Sequence, residues 1–171
     1  MEALLVNKCA YNKENLTEMV KATRKFATTV LLVCVVILIL LSGVYAFYLY
    51  DLLMAGLTLF FAALFGVYEV LVPTAGVKKV LKRYQELYHT EVESELFFCE
   101  DSILNTSPQT KGESTILYSQ IKKVLRTKNL YIIRIGAQLV LIVHKDGFSK
   151  GGCADFEVLM RQKATQAKIK Y

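Results

Sequence analysis

No Walker loop, no G-x-G-x-x-G turn and no H-E-x-x-H pair occurs in the sequence. Their absence excludes phosphate cradles and helix-borne zinc proteases in their recognisable forms. Cysteine is scarce: Cys9, Cys34, Cys99 and Cys153 are scattered, with no C-x-x-C spacing. That pattern gives no zinc signature and no disulfide framework, so the thiols read as reduced core or surface groups. Histidine occurs only as His89 and His144. Either could act as a general base, but no Cys–His–Asp pattern accompanies them. They read instead as a junction residue and a strand-end residue facing solvent. With nucleophiles, bases and ligands this sparse, the expectation is a non-enzyme with no cofactor and no metal site.

Charge is missing from one long stretch. Between Lys25 and Glu69 the single charged residue is Asp51. Residues 26–73 would make one helix about 72 Å long at 1.5 Å per residue, against a bilayer core of about 30 Å. One crossing cannot use that length and two can. Splitting at Asp51 gives segments 27–50 and 52–72, both of spanning length, whereas splitting at Ser42-Gly43 leaves the first too short. A charge costs little at the interface and several kcal/mol at mid-bilayer, so Asp51 marks a turn at the membrane surface. Tyr45, Tyr48 and Tyr50 gather before it as an aromatic belt would.

The turn also lacks Lys and Arg. Lys8, Lys13, Lys21, Arg24 and Lys25 precede the first span, and Lys78, Lys79, Lys82 and Arg83 follow the second. The positive-inside rule then places both termini in the cytoplasm, at a plasma or inner membrane, and Asp51 outside. Residues 1–25 are too polar, and the first apolar run too long, for a cleavable signal peptide. Ser42 with Ala46, and Ala62 with Gly66, have small-xxx-small spacing, which either permits close helix approach or reflects how common small residues are in such helices. Glu69 is a candidate ion or proton site; the favoured reading has it reach the interface and pair with Arg24 or Lys25.

Outside the apolar run the composition is that of a globular protein. Lys+Arg exceed Asp+Glu by 21 to 15, a net charge of +6 that suits an anionic membrane surface. Residues 11–25 suit a polar helix with Asn15 as N-cap and Glu18 three residues on. Pro73 and Gly76 are expected to end the second span. A short basic amphipathic helix then follows over 74–87, with Lys78, Lys79, Lys82 and Arg83 as candidate membrane-surface contacts.

From His89 the apolar period becomes two. Residues 90–98 put Glu91, Glu93 and Glu95 on one face and Val92, Leu96 and Phe98 on the other, as in a half-buried antiparallel strand. That spread of acids along a strand face does not build a calcium cage. A turn region is expected over 105–112. Strands follow over 114–118, 121–127, 130–135 and 138–144, with tight links at Lys128-Asn129 and Gly136-Ala137. The chain closes with a helix over 154–168, whose stripe of Phe156, Leu159, Met160, Ala164 and Ala167 should cover the sheet. Gly151-Gly152 lacks the flanking lysine-serine of a phosphate loop and reads as the start of that helix.

The run G-E-S-T-I-L-Y-S-Q-I-K-K-V-L-R-T-K-N-L-Y-I-I, then L-V-L-I-V-H-K-D-G-F-S-K-G, then the closing helix, resembles the YcxB-like C-terminal domain of small bacterial membrane proteins. The shared pattern is I-x-[YW]-S-x-I-x-K-V, a strand pair, and K-x-x-F-x-x-G, here Lys145, Phe148 and Gly151. Tyr118 stands where the pattern often carries tryptophan. The resemblance implies a membrane hairpin before the domain and a pleckstrin-homology-like barrel with one terminal helix. It carries no catalytic residues.

The expected fold is therefore α+β: a cytoplasmic N-terminal segment (1–25), a two-helix transmembrane hairpin (26–73), a basic juxtamembrane helix (74–87) and a small antiparallel β-rich domain (88–171). Two function classes remain. One is a non-catalytic module that recruits a protein partner to the membrane. The other is anionic phospholipid-headgroup binding, with Lys122, Lys123 and Arg126 as candidate ligand contacts. Nucleic acid is not expected, because the basic residues lack the interleaved aromatics of single-strand binders. Two spans without buried polar residues offer no transport pathway.

Overall fold

A computed structural model describes residues 2–89, 92–109, 112–136 and 139–170. It divides into two compact units, Val20–Lys79 and a second made of Met1–Met19 with Val80–Tyr171.

The first unit is a helical hairpin cut from two long helices, α1 (Lys13–Phe47) and α2 (Leu52–Tyr88). The chain turns back at Asp51, as its charge requires. Tyr50 adopts a positive φ of 51°, and Asp51 then caps α2 by accepting the Met54 N–H on Oδ1 at 3.1 Å. Small residues set the contact between the helices. Ala55 and Ala62 are buried, and the Ser42 hydroxyl donates to the Ala55 carbonyl at 2.9 Å. Glu69 lies on the inner side: its carboxylate accepts from the Thr28 hydroxyl and stands 3.6 Å from the Arg24 guanidinium. The lone carboxylate is thus paired with Arg24, the simpler of its two readings. The outward faces are otherwise apolar and uncovered, including Leu40 at 66% exposure and Val70 at 69%. Both helices are long and apolar enough to cross a membrane.

Two local expectations fail in these helices. Asn12, not Asn15, caps α1: its Oδ1 accepts the Asn15 N–H at 2.8 Å. The Asn15 amide instead donates to the Ala10 carbonyl, and Glu18 reaches Asn129. Pro73 and Gly76 do not end α2, which runs through both, so 74–87 is not a separate helix. Proline removes the N–H that would bond the Glu69 carbonyl, and an apolar helix continues through it, with the Thr74 hydroxyl donating back to the Val70 and Leu71 carbonyls beside that gap.

The second unit holds two sheets and one helix. The first sheet has the order β4-β3-β2-β1-β8. Its strands are β1 (Leu5–Ala10), β2 (Glu93–Phe98), β3 (Ser102–Ser107), β4 (Gly112–Leu117) and β8 (Phe148–Lys150). The second has the order β7-β6-β5-β9, from β5 (Ile121–Arg126), β6 (Leu130–Ile135), β7 (Leu139–His144) and β9 (Lys168–Lys170). Every pairing is antiparallel except β5 with β9. A final helix, α3 (Cys153–Lys163), precedes β9. The chain is thus α+β, as expected.

The core lies between the two sheets and under α3. Leu96, Phe98 and Ile103 of one sheet share it with Ile133, Leu141 and Val143 of the other. Phe156 of α3 joins them: its ring lies 5.5 Å from Phe98, 4.8 Å from Tyr131 and 6.0 Å from Phe148. The predicted stripe holds, with Phe156 and Met160 fully buried and Leu159 nearly so. Asn7, also fully buried, joins the sheets through polar bonds. Its amide donates to the His144 carbonyl at 2.7 Å and its Oδ1 accepts the His144 N–H at 3.1 Å.

Three boundaries differ from expectation. β3 continues through Asn105, Thr106 and Ser107, which pair with Ser114, Glu113 and Gly112. The turn predicted over 105–112 is correspondingly shorter, because polar side chains such as Asn105, bonded to Ser94 and Ser114, suit an exposed ladder. The closing helix stops at Lys163, and Lys168-Ile-Lys170 alternates as β9. Most consequentially, the N-terminal segment contributes a strand where none was expected, and β1 pairs with β2 along its whole length. Glu91 and Ala137 lie outside the described residues.

Candidate interaction surfaces

The residues that carry the family pattern are occupied with holding the unit together. Ile116, Tyr118, Ile121 and Val124 are buried in the core. The Tyr118 hydroxyl donates to the Cys99 carbonyl at 2.8 Å, and burial raises its pKa. The Lys145 ammonium donates to the Thr127 and Lys128 carbonyls and sits 5.5 Å from the Tyr131 ring centre. It therefore closes the β5–β6 hairpin. Gly151 has φ +79°, and a Cβ there would come within 2.0 Å of the Leu5 side chain, so only glycine fits.

The candidate basic residues lie on β5 and along α2. Lys122 is exposed and Lys123 half-buried, on neighbouring positions of β5 where the register shifts. Arg126 is paired with Glu157 at 3.1 Å, and the same carboxylate accepts from the Tyr131 hydroxyl at 2.6 Å. Lys78, Lys79 and Arg83 are exposed along α2, and Lys82 stands 3.6 Å from Glu86. His144 keeps its backbone in the Asn7 link, while His89 ends α2. Burial pushes the Cys9 thiol up to about 12, so this cysteine is held as a neutral thiol.

A surface that sequence reasoning missed lies on the outer side of the first sheet. Along it, Val6, Phe97, Leu104 and Thr115 stand opposite one another across four strands. Leu4 and Leu117 extend this apolar row, at 47% and 48% exposure. A depression of about 370 Å³ lies on it, lined by Ala3, Phe97, Cys99, Ser102, Leu104 and Thr115. The adjoining row is polar: Lys8, Glu95, Thr106 and Glu113, with Lys8 and Glu95 paired at 2.6 Å. Glu93, Glu100, Asp101 and Glu113 are exposed around it, together with Lys8 and with Lys150, which stands opposite Val6 on β8, so the apolar face has a border of mixed charge. The sequence carries no period-two signal here: Leu4-Leu-Val-Asn-Lys-Cys9 opens on three apolar residues and buries Asn7, so its outward Leu4 and Val6 become readable only once β1 is known to be a strand.

Among the described residues, no group of three His, Cys, Asp or Glu side chains is placed to hold a metal ion. The family model described as YcxB-like protein matches residues 100–156, the region on which the resemblance rests. No curated relative and no solved structure matches the chain.

Proposed function

We propose that this chain is a non-catalytic, membrane-anchored interaction module, with its two apolar helices as anchor and its β-rich unit recruiting a protein partner. The observation that carries the reading is the outer apolar row of the first sheet. Apolar side chains aligned over four strands on a water-facing surface mark an interaction site more often than chance exposure does. The border of mixed charge around it favours an amphipathic partner segment with charged flanks. The basic residues on both sides of the hairpin support an arrangement with both termini in the cytoplasm of a plasma or inner membrane. Two sheets under one helix keep the pleckstrin-homology-like plan as part of this proposal.

The test is co-purification of the full chain from its native membrane. Leu104→Arg with Leu117→Arg should remove a discrete partner, while Val158→Arg on α3 should retain it. Equal recovery with both variants would defeat the reading. A second reading, anionic lipid binding, is favoured by the exposed Lys78, Lys79 and Arg83. Each cation near an anionic surface contributes about 1 kcal/mol, screened by salt. Point charges of this kind would orient the module without selecting one headgroup.

A further inference from the structure

Within the β-rich unit, a cavity of about 390 Å³ opens where β1 passes into α1 and α2 passes into β2. Tyr11, Tyr84, Leu81 and Val92 give it apolar walls. The rings of Tyr11 and Tyr84 meet edge to face at 6.3 Å, and the Tyr11 N–H donates to the Val92 carbonyl at 2.8 Å. The Tyr11 hydroxyl is bonded to Ser94, and burial pushes its pKa up to about 12, so this wall stays uncharged. The remaining lining is polar and comes from three directions. Lys13 opens α1, Gln85 lies in the last turn of α2, and His89 follows that helix in the left-handed region at φ 54°. Lys13 also places the positive end of α1 beside the cavity. No carboxylate lines it among the described residues; Thr90 and Glu91 lie outside them.

A cationic ligand would meet the like charge of Lys13 and no counter-charge from the described walls. A neutral polar one would leave the aromatic surfaces unused. An anionic head with an apolar body satisfies both halves, and a tetrahedral phosphate can accept from Lys13, Gln85 and His89 at once. The volume is at the small end of ligand sites, room for a headgroup and a short stretch of chain. We propose that this cavity binds a phosphate ester carrying an apolar tail, the phosphate held by Lys13, Gln85 and His89 and the tail by Tyr11, Tyr84, Leu81 and Val92. The site is separate from the outer sheet face, so either can fail alone.

The chain has only two histidines, which gives a site-specific readout. The full protein is placed in phosphatidylcholine nanodiscs, and the two imidazole resonances are followed by NMR during titration with hexyl phosphate. The expected result is a saturable shift of His89 with His144 unmoved. Inorganic phosphate and hexanol should each bind at least about tenfold more weakly. Lys13→Gln should weaken hexyl phosphate by about tenfold, as should His89→Asn followed by calorimetry. Asparagine tolerates the left-handed conformation, so that variant removes the imidazole without breaking the turn. Nanodiscs containing phosphatidic acid distinguish the source. A His89 shift without added ester identifies the membrane lipid, and a shift with hexyl phosphate alone identifies a free ester. The proposal is overturned if His89 does not move, if both histidines move together, if Lys13→Gln leaves affinity unchanged, or if inorganic phosphate binds as tightly as the ester.

Discussion

The helical hairpin and the β-rich unit are both apolar, but they turn their apolar side chains in opposite directions. In the β-rich unit Leu96, Phe98, Ile133, Phe156 and Met160 face inward and are almost completely buried. In the hairpin Leu40, Phe60, Val70 and their neighbours face outward, and contact between the helices rests on Ala55, Ala62, the Ser42 bond and the link of Glu69 to Thr28 and Arg24. Water explains the first arrangement and cannot explain the second. Helices so weakly buried against each other are long and apolar enough to have hydrocarbon as their solvent, with small residues and a hydroxyl among the contacts that join them. Composition alone would have scored the two regions as similarly hydrophobic; the direction of burial separates them.

Core truncation should break this comparison most sharply. Phe156→Ala removes a ring packed against both sheets and should cost about 3–5 kcal/mol, read by urea unfolding of the β-rich unit. Leu159→Asp should also unfold the unit. Phe60→Ala, on the outward hairpin face, should leave the helical signal in detergent almost unchanged. Similar losses at positions 60 and 156 would show that the hairpin is packed as a soluble core.

How much was legible beforehand follows the same division. The turn at Asp51 could be read because one charge in a long apolar run has few places to go. The stripe Phe156, Leu159 and Met160 could be read because helical spacing leaves that one apolar face. β1 could not, because its six residues gain partners only from β2 and β8, far along the chain beyond both helices. The missed surface followed from the missed strand, since Val6 and Leu4 supply one edge of its apolar row. Pro73 misled for a different reason: a helix-breaker in water is tolerated in a long apolar helix with a hydroxyl nearby to bond the backbone.

Glycine and alanine changes sharpen the comparison at smaller cost. Gly151→Ala combines a left-handed backbone with a contact against Leu5, and should lose about 1–3 kcal/mol in the same unfolding assay. In the hairpin, Ala62→Leu should overpack the interface by about 1–3 kcal/mol, seen as loss of the compact band on a detergent gel. Gly66→Ala should be silent there, because nothing lies within 4 Å of its added Cβ. A damaging Gly66→Ala would restore the Ala62–Gly66 pair as a packing motif.

The smallest expected effect depends on pH. Burial works to raise the Glu18 pKa, but bonds from Thr127 and Asn129 and the charge of Lys145 outweigh it and hold the carboxyl below its usual range. A depressed folded pKa stabilises above the unfolded value, about 4.3, and that stability is lost as pH falls through the folded pKa. The melting-temperature gap between wild type and Glu18→Gln should therefore be full at neutral pH and close below about pH 4. A gap that widens in acid would contradict the assignment.

The central claim is that lipid covers the outward apolar face of the hairpin and a protein covers that of the sheet. Photo-crosslinking residues placed at positions 40 and 104, one at a time in the full chain in native membranes, test it directly. The account predicts lipid adducts from 40 and a discrete protein adduct from 104, the latter lost with Leu117→Arg. Protein adducts from 40 of the same kind as from 104, or only lipid from 104, would contradict it.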